Sequence, residues 1–143
     1  MSVKTLPVAG LALAGLAALG LAIPALAHHS HANYEPSDAI EITGTVVDYQ
    51  WINPHTWIYI TVMGDDGEMQ EWALESGSTG QLTRRGWGAD SMLPGDTISA
   101  LIRPLKDGSY GGVLGTIILS DGTALCDPFG GGVPPDTRCR EVE

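Results

Sequence analysis

The sequence predicts an all-β domain with one short helix: a five-stranded OB-fold-like barrel in the order β-β-β-α-β-β. Three observations carry this. Runs rich in β-branched and aromatic residues recur between Gly-, Pro- and Asp-containing turn signals. One segment breaks that pattern between the third and fourth runs, with a Ser/Thr start and a Gly stop. The first run is long and holds an internal glycine, as a strand bent around a small barrel requires.

The elements follow in order. Ile40 to Trp51 (IEITGTVVDYQW) is the first strand, with its bulge or bend expected at Gly44. Asn53-Pro54 is a turn signal, and Trp57 to Met63 (WIYITVM) is the second strand. Gly64-Asp65-Asp66-Gly67 makes a hairpin turn into Met69 to Leu74, the third strand. Ser76 to Thr79 caps a short helix over Gly80 to Arg85, with basic residues in its last turn and Gly86 as its stop. Leu93-Pro94-Gly95-Asp96 turns into Thr97 to Ile102, the fourth strand. After Lys106-Asp107-Gly108-Ser109, Tyr110 to Leu119 is the fifth, and a short strand ending at Leu125 follows the turn at Ser120 to Thr123. The alternative architecture is a small β-sandwich in which the helix is incidental.

Composition bounds the rest. A chain of 143 residues is in the one-domain range. Charged residues at 17% and hydrophobic residues at 43% exclude a disordered acidic tail. The net charge of −10 repels phosphate backbones and argues against nucleic acid as a partner. Two cysteines cannot form a four-cysteine zinc site.

Residues 1–27 read as a secretory signal peptide. Lys4 precedes an uncharged apolar run that ends in Ala25-Leu26-Ala27, with small residues at −3 and −1. The alternative is an N-terminal membrane anchor, since the run is long enough to span a bilayer. Cleavage after Ala27 leaves a periplasmic or secreted product with no stable membrane span. Its charge is −11, because Lys4 is one of the seven Lys/Arg set against seventeen Asp/Glu. Residues 28–38 are then a polar, His-rich leader, 39–125 the barrel, and 126–143 a Gly/Pro-rich tail. In an oxidising compartment Cys126 and Cys139 are expected to pair. The alternative is a reactive or copper-binding thiol pair.

Two places concentrate unusual side chains. The first is the new N-terminus. There the α-amine and ring of His28, with a second histidine, have the donor set of a copper-chelating histidine brace. His29 and His31 adjoin it, and His55 is the other histidine of the chain. A copper motif with histidine at the third mature position fails at Ser30, unless cleavage moves to place His31 there. The alternative is a disordered leader that binds metal casually.

The second place is Trp51-Ile52-Asn53-Pro54-His55-Thr56-Trp57. Alternation along the second strand puts His55, Trp57 and Tyr59 on an outer face and Thr56, Ile58 and Ile60 on the inner one. Glu75 is expected nearby, on the side of the third strand opposite Trp72 and Leu74. OB-folds commonly place ligands on this face. The competing role is packing, with Trp57 and Tyr59 lying under the helix or the tail. Arg84-Arg85 adds a local positive charge that could grip a carboxylate or phosphate, or simply complement the helix dipole.

AHHSHANYE, ITGTVVDYQWINPHTWIYITV, EWALESGSTGQLTRRGW and LPGDTISA together resemble a group of small exported bacterial proteins known as a domain of unknown function. The resemblance covers about residues 25–119 and rests on the NPH and RxGW elements. It implies an OB-type barrel and no established activity. Its signature positions here are His28, His29, Trp51, Asn53, Pro54, His55, Trp72, Glu75, Arg85, Gly86 and Trp87. The cysteine tail is a departure from it.

The function expected from these features is an exported binding module rather than an enzyme. It would hold a small ligand or metal ion at His55, Trp57, Tyr59, Glu75, Arg85 and Trp51. The alternative is a copper protein using His28 with His55. An envelope protein partner is a third expectation.

Overall fold

The computed structural model describes residues 33–34, 39–127 and 139. The expected signal peptide, the three leader histidines and most of the tail lie outside the described residues.

Six strands form one sheet: β1 (Ile40–Gln50), β2 (Trp57–Met63), β3 (Met69–Glu75), β4 (Thr97–Pro104), β5 (Gly111–Leu119) and β6 (Ala124–Cys126). The order is β3-β2-β1-β4-β5-β6, and a parallel pairing of β3 with β5 closes the first five strands into a barrel. A short helix, α1 (Thr79–Thr83), lies between β3 and β4. This is the OB-like arrangement expected from the order of elements. Four antiparallel steps, β3–β2, β2–β1, β1–β4 and β4–β5, leave β3 and β5 running the same way, so the pair that closes the barrel is parallel.

Alternation fills the interior. Val46, Ile58, Ile60, Leu74, Ile98, Ile102, Leu114 and Ile117 are buried and form one cluster. Each aliphatic side chain of this size contributes about 1.5–3 kcal/mol by leaving water. Leu82 of α1, with Trp87 and Met92 from the loop that follows, belongs to the same cluster.

Three local details differ from the sequence expectations. The β1–β2 register shifts between Val46 and Asp48, so the bulge is at Val47 rather than Gly44. Gly44 is needed for another reason: a Cβ there would meet the Thr61 carbonyl oxygen at 2.5 Å. The helix ends at Thr83, which leaves Arg84 as its C-cap and Arg85 beyond it, so its last turn holds no basic residue. Gly86 has a φ of +85° and donates its N–H to Thr83 O, as a left-handed helix stop does. Finally, β3 and β4 run further than expected, to Glu75 and Pro104. Glu75 is the register partner of Trp57.

The disulfide Cys126–Cys139 is present, with Cα atoms 5.9 Å apart. Cys126 lies in β6 opposite Thr116, whose hydroxyl is 3.3 Å from the Cys139 sulfur. Among the described residues no helix is long and apolar enough to cross a membrane.

Candidate functional site

The β1–β2 connection and the β3–α1 connection lie side by side. Thr56 donates its N–H to Gly77 O (3.1 Å) and accepts from Ser76 N–H (2.9 Å). Asn53, just before the cis Asn53–Pro54 bond, accepts from both the N–H (3.2 Å) and the hydroxyl (3.0 Å) of Thr79, the first residue of α1. Gln81 Oε1 takes the Ser78 N–H and hydroxyl, fixing that first turn. The two connections therefore hold each other, and His55 and Glu75 flank the junction.

His55 Nδ1 lies 2.7 Å from Glu75 Oε1. An ionised carboxylate only accepts, so Nδ1 carries the hydrogen, and in the neutral ring the lone pair is on Nε2. The other oxygen of Glu75 accepts a short hydrogen bond from the Tyr34 hydroxyl. Tyr34 is anchored by its β-bridge to Leu105 and by the bond from Lys106 N–H to Asn33 O. Burial, and secondarily its bond to the Glu75 charge, pushes the Tyr34 hydroxyl above its ordinary pKa. Tyr34 thus stays a donor, and the carboxylate bridges a phenol and an imidazole.

Trp57 and Tyr59 stand on the same outer face of β2, half-buried and stacked, with ring centroids 6.4 Å apart and planes 21° apart. Across the ladder Trp57 faces Glu75 and Tyr59 faces Ala73. On the other side Trp57 faces Gln50 and Tyr59 faces Asp48, and the Gln50 amide donates to the Asp48 carboxylate at 2.8 Å.

The structure brings His55, Trp57, Tyr59 and Glu75 to one region. Trp51 goes elsewhere: it packs against the core, with its ring 5.9 Å from Tyr49, whose hydroxyl donates to Gly88 O. Arg85 is exposed beyond α1, and among the described residues no ion pair joins it to Glu75. Trp87 is core, and its indole N–H donates to Cys126 O at 3.2 Å. The RGW element therefore ends a helix and plugs the barrel.

Two residues of the site carried no separate signal in the sequence. Tyr34 sits in an aperiodic leader. Asp127 follows the last strand, yet it is buried and accepts from Ser76 Oγ (2.8 Å) and Gly77 N–H (2.7 Å). It thereby holds the β3–α1 connection from below. Among the described residues no group of three or more His, Cys, Asp or Glu could hold a metal ion. His28, His29 and His31 are outside the described residues.

No curated protein and no solved structure matches the chain. Residues 16–114 match a family of unknown function, DUF6152. They take in the barrel through the first four residues of β5, with the NPH and RGW elements, and leave the cysteine tail outside. On that match the chain belongs to the DUF6152 family of unknown function.

Proposed function

We propose that this protein is an exported binding module whose small ligand or metal ion seats at His55, against the stacked Trp57 and Tyr59. The carrying observation is the hydrogen-bonded run Tyr34–Glu75–His55. A surface ion pair adds little stability, about 0–1 kcal/mol. Yet here three segments distant in sequence converge to set the tautomer and direction of one imidazole. An oriented imidazole beside two aromatic rings is a recognition arrangement: the rings supply apolar contact and the imidazole supplies direction. The test is a thermal-shift screen of the purified protein against divalent metals and small organic ligands. A binder should raise Tm in the parent and lose its effect in a folded His55→Ala variant. Retention of every such shift in His55→Ala would refute the site.

A second reading is copper held by His28 with His55, favoured by the carboxylate behind the His55 ring. Imidazoles that bind metals usually donate their other ring N–H to a carboxylate, as His55 does to Glu75. Tyr34 ties the chain to that same carboxylate. The intact mass of the exported protein fixes its first residue, and copper titration by EPR follows. If the chain begins at His28, adding one residue before it should abolish an amine-and-ring chelate. Equal affinity with the added residue would dispose of that chelate.

A further inference from the structure

We infer that the outer face of the β1–β2–β3 meander is a docking surface for a lysine- or arginine-bearing segment of a partner protein. Charge is distributed unevenly along the barrel. Residues 39–75 carry seven Asp/Glu and no Lys or Arg, whereas residues 76–127 carry four Lys/Arg against five Asp/Glu. On the outer face of the acidic part, register puts Asp48 beside Tyr59, with Glu71 one pleat further along β3. A cation over the Tyr59 ring would gain the attraction of the aromatic face together with that of both carboxylates.

The same face continues past this point as apolar surface. Met63 and Met69 stand opposite one another, 62% and 56% exposed, and Val47 projects at the bulge, 45% exposed. Thioether chains adapt to varied apolar partners. The seven residues of β2 extend about 20 Å at ~3.3 Å per residue, longer than a small organic cation and suited to an extended segment with alternating basic and apolar side chains. β2, the middle strand of this face, is paired with β1 on one side and with β3 on the other. The partner therefore seats by side chains on the face and does not add a strand to an edge. This surface goes beyond the His55 site and meets it at the Trp57–Tyr59 stack.

The probe is a short synthetic peptide alternating lysine and valine, with a matched peptide carrying glutamate in place of lysine. Binding to the purified protein is followed by NMR at the Met63 and Met69 methyls. The basic peptide should bind, the acidic one should not, and the shifts should fall on Met63, Met69 and Tyr59. Asp48→Asn with Glu71→Gln should weaken binding about tenfold, as loss of paired charges at an interface does. His55→Ala should leave it unchanged, which separates this surface from the His55 site. Four results would each overturn the inference: no preference for the basic peptide, equal weakening by Asp107→Asn with Asp121→Asn on distant turns, equally tight binding of tetramethylammonium, or loss of peptide binding in folded His55→Ala.

Discussion

Asp127→Ala tests whether the tail holds the site together. The Asp127 carboxylate is only 5% exposed and accepts from Ser76 Oγ at 2.8 Å and from Gly77 N–H at 2.7 Å. Hydrogen bonds to a charged acceptor contribute about 1.5–3 kcal/mol, and a buried donor left unpaired costs about 1–3 kcal/mol. Ser76 is 3% exposed and would bear that full cost, whereas Gly77 is half-buried and recovers part of its loss from water. The expected destabilisation is about 2–4 kcal/mol in urea unfolding, or about 10–20 °C in Tm for a domain near 100 residues. The local effect is the sharper one. Thr56 N–H is held by Gly77 O, so its hydrogen exchange should accelerate beyond the change seen for the Ile58 and Ile60 amides of β2. His55 and Glu75 adjoin the loosened pair, so ligand binding at His55 should weaken along with that exchange protection. A cost below about 0.5 kcal/mol, a scale typical of surface substitutions, would refute the claim that Asp127 clamps this junction. So would exchange at Thr56 that changes only in step with the barrel.

Four further outcomes are expected. Cys126→Ser with Cys139→Ser should cost about 3 kcal/mol by the chain-entropy argument, measured by urea unfolding against the oxidised parent. Thr56→Val should raise stability by about 1 kcal/mol, since the Thr56 hydroxyl is fully buried and has no hydrogen-bond partner among the described residues; a loss of stability would show that the hydroxyl is satisfied. Burial chiefly, and Glu75 or Asp90 secondarily, raises the Tyr34 and Tyr49 hydroxyls above the ordinary 10.0. The unfolded chain then binds fewer protons above that pH, so their stabilisation is complete below about pH 10 and is lost as pH rises further. Tyrosinate absorbance should show two tyrosines titrating late, and Tyr34→Phe should remove one of them. His55→Ala should change stability by less than about 1 kcal/mol in urea, as expected for a part-exposed ion pair; a larger loss would make His55 a structural residue.

The barrel was legible because its signals are local. Trp57 to Met63 alternates cleanly, and Gly64-Asp65-Asp66-Gly67 turns it into β3. The order of elements then led to an OB-type closure, and the parallel β3–β5 pairing supplies it. What the sequence hid depends on long-range approach. Gly44 looked like a bulge, but it is a glycine because the Thr61 carbonyl lies against it, and the bulge falls three residues later. Trp51, expected among the ligand residues, packs against Tyr49 and the core. Half of the site was legible: alternation placed His55, Trp57 and Tyr59 together. Tyr34 and Asp127 are 41 and 51 residues from their partners Glu75 and Ser76, and no periodicity links such positions.

The two motifs that drew attention in the sequence have unequal claims on function. Most of their residues are accounted for by the barrel itself. Asn53 fastens the first turn of α1, Thr56 ties two connections, Gly86 ends the helix, and Trp87 fills the core and bonds to Cys126. Each of these would be required in a barrel that bound nothing. His55 is different. It is about one-third exposed, and its pairing with Glu75 is too exposed to add much stability. Yet the structure commits both oxygens of Glu75, and with them the otherwise aperiodic Tyr34, to the two groups that meet there. When the packing and capping roles are subtracted from Trp51-Ile52-Asn53-Pro54-His55-Thr56-Trp57, the oriented imidazole and the ring of Trp57 remain. That remainder is the basis for proposing a site on the outer face of β2 rather than at the arginines, and makes His55 the first residue to change.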